Sequence, residues 1–127
     1  MNILLGYVLL AFSIIANAGS AGDDLTMNAN SSQSSFVVQL AANPTTGFQW
    51  QVVNYDKKLF SLISSHYQKA QTNLIGSGGQ MQFTFTLNKG KSYPEKTKML
   101  FKYARSWEPE TSTLKKVTVN FVKTPNS

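Results

Sequence analysis

The 127-residue sequence has no cysteine, a single histidine and only six acidic side chains, and these shortages remove most chemistry before any fold is considered. Without cysteine there is no disulfide framework, no thiol nucleophile and no thiolate-bound metal, so the core has to hold by packing alone. His66 has no partners for a nucleophile and base arrangement. No nucleophile-elbow pattern occurs, and Ser64 and Ser65 neighbour His66 along one expected strand instead of facing it. His66 therefore reads as a strand-face residue. The acids Asp23, Asp24, Asp56, Glu95, Glu108 and Glu110 are dispersed, with neither the ligand spacing of a metal site nor a pair suited to glycoside hydrolysis. The sequence predicts no enzyme, no catalytic residue, no metal and no cofactor.

Long helical patterns are also missing. The nearest to a 3.6-residue period is Lys57 to Ile63, which is short and ends in the β-prone pair Leu62-Ile63. One apolar run stands near the start, Ile3 to Ile15, shorter than a comfortable bilayer span and followed by the small-x-small pattern Ala16-Asn17-Ala18. This predicts a signal peptide over residues 1–18 and export to a secreted or periplasmic location, although no Lys or Arg precedes the run. An uncleaved membrane anchor is the other reading of the same residues. Residues 19–24 form a small, polar leader expected to be mobile, and residues 25–127 have the length of one domain.

The formal net charge is +6, which favours acidic partners or surfaces without specifying a fold. The lysines (Lys57, Lys58, Lys69, Lys89, Lys91, Lys96, Lys98, Lys102, Lys115, Lys116 and Lys123) are scattered, with no basic helix or long block. The expectation is a soluble monomer with no nucleic-acid partner and no membrane contact once the signal is removed.

What the chain does have is a period of two. Phe36, Val38 and Leu40 alternate with Val37, Gln39 and Ala41, and Phe48, Trp50 and Val52 with Gln49 and Gln51. Met81, Phe83, Phe85 and Leu87 interleave with Gln82, Thr84 and Thr86. Such ladders are what half-buried antiparallel strands require. Lys98 to Ala104 and Lys116 to Val122 behave alike, and Leu25 to Asn28 and Phe60 to Gln68 complete about seven strands separated by turn signals, among them Glu108-Pro109. The pattern predicts an all-β fold, a two-sheet antiparallel sandwich of immunoglobulin-like type.

The unusual residues lie in turns, where binding surfaces on a rigid sandwich are built. In Asn43-Pro44-Thr45-Thr46-Gly47-Phe48-Gln49-Trp50, Pro44 fixes its own φ and extends Asn43, while Gly47 is free to take a positive φ, so the segment has few accessible shapes. Gly76-Ser77-Gly78-Gly79 lets backbone amides approach another surface closely. A phosphate loop would instead need a following helix, and here a strand follows. Ala104-Arg105-Ser106-Trp107-Glu108-Pro109 places an Arg and a Trp, the side chains most enriched in interface hot spots, at a strand end. Trp107 reads either as such an anchor or as core.

Together these segments resemble the chagasin family of cysteine-protease inhibitors, which carry an Asn-Pro-Thr-Thr-Gly-aromatic-x-Trp loop, a Gly-x-Gly-Gly loop and an Arg-Pro-Trp or Arg-Pro-Phe loop in that order. Asn43 to Trp50 matches the first completely and Gly76 to Gly79 the second, while Ser106 stands where the family usually has Pro. The resemblance implies a non-covalent inhibitor of papain-like cysteine proteases whose three loops form a wedge at one end of the sandwich. Asn43, Pro44, Thr45, Thr46, Gly47 and Phe48 would belong to that wedge, with Thr45, Thr46 and Gly47 over the catalytic cysteine. Gly76, Ser77, Gly78 and Gly79 would pair by backbone along the substrate side, and Arg105 with Trp107 would fill the leaving-group side. Trp50 is assigned to structure, because it alternates in phase with Val52. Phe48 is either loop support or direct contact. An adhesive module that binds a peptide or glycan through the same loops is the alternative.

Overall fold

A computed structural model of the protein describes residues 24–70 and 78–123. The expected signal peptide, nearly all of the leader, and Gly76 and Ser77 lie outside the described residues. Seven strands follow in chain order: β1 (Leu25–Asn30), β2 (Ser35–Ala42), β3 (Gln49–Asn54), β4 (Phe60–Lys69), β5 (Gly79–Leu87), β6 (Lys96–Arg105) and β7 (Glu108–Val122). They form a four-stranded sheet, β1-β7-β6-β3, and a three-stranded sheet, β2-β5-β4. This is the expected immunoglobulin-like β-sandwich. One pair departs from the antiparallel rule, since β1 runs parallel to β7, with Leu25 opposite Val117 and Asn30 opposite Val122.

The alternation read from the sequence decides which faces meet. Phe36, Val38 and Leu40 from β2, Phe83 and Phe85 from β5, Met99 and Phe101 from β6, and Val117, Val119 and Phe121 from β7 are all buried in one core. Burying each large apolar side chain is worth roughly 1.5–3 kcal/mol, which is how a chain without disulfides holds two sheets together. Lys115 continues the inward series of Val117 and Val119 and is completely buried, so it does not belong with the scattered surface lysines.

At the end of the sandwich away from the β2–β3 connection, Tyr93 stacks on Phe121 with ring centroids 4.5 Å apart, and its hydroxyl donates to Gln33 O at 2.8 Å. Burial pushes the Tyr93 phenol above its usual value. A phenol whose pKa is raised on folding contributes stability below the unfolded value, near pH 10, and that contribution is lost as pH rises through the folded value. A melting series against pH is expected to fall above about pH 10, with a smaller alkaline fall in Tyr93→Phe. An identical fall in the two proteins would contradict this.

Strand β7 is longer than the sequence predicts. Glu108 and Pro109, read as turn residues, open the strand, and the turn is Ser106-Trp107. Pro109 is tolerated because pairing is irregular there. Tyr103 faces Thr113 whereas Arg105 faces Glu108, so the residues between form a bulge that does not need the missing N–H.

Candidate functional site

Pairing of Ala42 with Gly79, Lys69 with Gly79, Gln49 with Ala104 and Arg105 with Glu108 brings the β2–β3, β4–β5 and β6–β7 connections to one end of the sandwich. The first is braced by its own residues. Pro44–Thr46 forms a single 3-10 turn, with Asn43 as its cap, Pro44 at its first position and Gly47 closing it at φ 84° and ψ −9°. Asn, Pro and Gly are favoured at those places because they supply an acceptor, a fixed φ and a left-handed residue, in that order. Asn43 Oδ1 accepts from the Thr45 hydroxyl at 2.6 Å, and the Thr46 hydroxyl donates to Asn43 O at 2.7 Å. Both threonine hydroxyls therefore brace the loop, while Pro44, Thr45 and Thr46 remain exposed. Gly47 has the positive φ expected of it.

The third loop locks onto the first. The Arg105 Nε–H donates to Thr46 O at 3.0 Å, and Nη1 donates to Glu108 Oε1 at 2.6 Å. The guanidinium lies 4.4 Å from the centroid of the Phe48 ring and 6.0 Å from that of Trp107. Phe48 in turn stacks on Tyr103 at 5.0 Å, and Tyr103 packs on Trp50 at 4.5 Å. A continuous stack thus runs from the core to the tip. Phe48 supports the loop within this stack, between Arg105 and Tyr103. Trp50 is buried as expected, and its Nε1–H donates to Ala41 O at 2.8 Å.

Trp107 is 66% exposed, so it is not core. Its indole lies against the Cα of Gly47, where an added Cβ would come within 2.8 Å of Trp107 Cζ2 and closer still to Cη2. Gly47 thereby has a second requirement that its backbone angle alone does not reveal. Exposed apolar surface of this size, held by a rigid neighbour, is typical of a binding anchor.

Of the second loop, Gly78 and Gly79 are described. A Cβ on Gly78 would come within 2.5 Å of Ala42 O and 3.2 Å of Asn43 Cβ, and one on Gly79 within 2.8 Å of Lys69 Cα. Bare backbone at Gly78 lets the second connection close against the base of the first, and at Gly79 it lets β5 start close against the end of β4. The glycines therefore serve the protein's own packing as well as any approach to a partner. His66 is exposed on β4 beside Ser64 and Ser65, and among the described residues no group of three or more His, Cys, Asp or Glu side chains could hold a metal.

Sequence reasoning missed two members of this end. Tyr103 was in phase with Met99 and Phe101 and could have been placed under the loops. Glu108 stands three residues after Arg105 beside Pro109, and that turn signal hides its role as the arginine's partner.

The model for the chagasin family peptidase inhibitors matches residues 30–121. No curated protein sequence matches the chain. Among solved structures, the crystal structure of a cysteine protease inhibitor from Entamoeba histolytica is similar with a TM-score of 0.50 and 22% identity, over 77% of this chain and 88% of that one. The solution structure of amebosin is similar with a TM-score of 0.49 and 22% identity, over 81% of this chain and all of that one. The first of these likenesses bears on the fold alone.

Proposed function

The chain belongs to the chagasin family of peptidase inhibitors, and we propose that it blocks papain-like cysteine proteases reversibly, by occluding the active-site cleft with residues 43–48, 76–79 and 105–107. The observation that carries this reading is the joining of the first and third loops into one braced edge, through the bond from Arg105 to Thr46 O and the indole of Trp107 over Gly47. A wedge ordered before binding loses little conformational entropy on entering a cleft. The 3-10 turn also explains inhibition without cleavage. A protease attacks a peptide laid out in extended form, and Pro44–Thr46 are curled and held so by Asn43. In this reading Thr45, Thr46 and Gly47 cover the catalytic cysteine, the second loop lies along the substrate side, and Trp107 covers the leaving-group side while Arg105 holds it in place.

The test is protection. Papain saturated with the protein is expected to resist alkylation of its catalytic thiol, and the inhibitor is expected to be recovered at unchanged mass after long incubation. Unimpeded alkylation, or a cut within Pro44 to Phe48 that keeps step with inhibition, would contradict the obstructive mechanism. The proposal extends to export as a monomer. N-terminal sequencing of the secreted protein is expected to begin at Gly19, and a start at Met1 would mean that the signal segment is kept.

A further inference from the structure

We propose that Glu108 is a positioning residue of the inhibitory edge, doing for the third loop what a proline at 106 would otherwise do. Its consequence for inhibition rests on the function proposed above, while its cause lies in the geometry of the β6–β7 turn. Arg105 and Glu108 face each other with only Ser106 and Trp107 between them. Two-residue hairpin turns match the twist of their strands when at least one turn residue takes a positive φ, and turns without one splay the strands. Neither Ser106 nor Trp107 does so, since among the described residues every positive φ belongs to a glycine.

The ladder directly beneath cannot correct the splay, because register is lost between Tyr103 and Arg105. Ser106 leaves open a φ that proline would fix at about −65°. Backbone pairing alone therefore leaves the loop tip underdetermined.

Glu108 supplies the missing constraint. Its carboxylate accepts from Arg105 Nη1 at 2.6 Å across the turn, and its carbonyl accepts from the Thr111 hydroxyl at 2.8 Å within the bulge. With Nη1 held, the Arg105 Nε–H is aimed at Thr46 O and the guanidinium is placed beside Phe48 and Trp107. Glu108 thus acts through Arg105 on both the first loop and the exposed indole. The pair is about one-third exposed, with side chains at 32% and 35%, so water screens it and the effect is moderate.

The experiment is a double-mutant cycle on papain inhibition. Glu108→Ala is expected to raise the inhibition constant about two- to fivefold, mostly through faster dissociation. Ser106→Pro alone is expected to tighten inhibition by up to about fivefold and never to weaken it, and the double variant to return to within about twofold of Ser106→Pro, because either device suffices. A second readout needs no protease. Solvent exchange of the Arg105 Nε–H, followed by NMR in the free protein, is expected to be about three- to fivefold faster in Glu108→Ala and slowed again in the double variant. If the parent fails to inhibit papain, the functional reading fails and the exchange series still decides the clamp. Exchange and inhibition unchanged in Glu108→Ala, or losses that proline does not rescue, would overturn the proposal.

Discussion

Gly47→Ala is expected to weaken protease inhibition by at least about tenfold while leaving the protein folded at room temperature. Two independent penalties meet at this position. An alanine at φ 84° adopts a left-handed conformation that costs about 1–2 kcal/mol, and its Cβ would enter the space of the Trp107 ring. The ring is exposed and can swing away, so the fold loses little, but swinging removes the anchor from the edge and loosens the Thr45-Thr46 turn beside it. Inhibition constants and melting curves on the same preparation separate the two effects. An inhibition constant equal to the parent's would mean that residues 43–48 are not the wedge.

Trp50→Ala is expected to act the other way round, on the fold first. Trp50 is 5% exposed, packs on Tyr103 and donates to Ala41 O, so truncation leaves a large cavity and removes that hydrogen bond. The cost is roughly 3–5 kcal/mol, which in a domain of this size lowers the melting temperature by at least about 12 °C. Since such domains are stable by only about 5–15 kcal/mol, much of the margin goes. Inhibition measured well below the lowered transition is expected to fall as well, because Tyr103 and Phe48 stand on Trp50. A melting temperature within a few degrees of the parent would show that the indole is not a structural pillar.

Much of this architecture was legible in the sequence for a simple reason. A strand with one buried face records its orientation in every second residue, and Phe36, Val38, Leu40, Phe83, Phe85, Val117 and Val119 all lie where that alternation puts them. The positive φ of Gly47 was legible too, because glycine closing a turn between two strands has few other reasons to be there. Three things were not. The start of β7 is hidden because Pro109 reads as a strand breaker, and only the bulge between the Tyr103–Thr113 and Arg105–Glu108 pairs makes it acceptable. The burial of Lys115 is hidden because its charge masks the inward phase it shares with Val117. The bracing role of Arg105 was hidden because its partners, Thr46 and Phe48, are more than fifty positions earlier in the chain, and spacing along a sequence does not report contacts made across a fold.

The most direct measurement is active-site titration of papain by the parent protein, run beside trypsin, whose nucleophile is a serine. The predicted result is a linear loss of papain activity that reaches zero at one inhibitor per enzyme, with trypsin unaffected. Papain activity unchanged at a several-fold molar excess of folded protein would contradict the account.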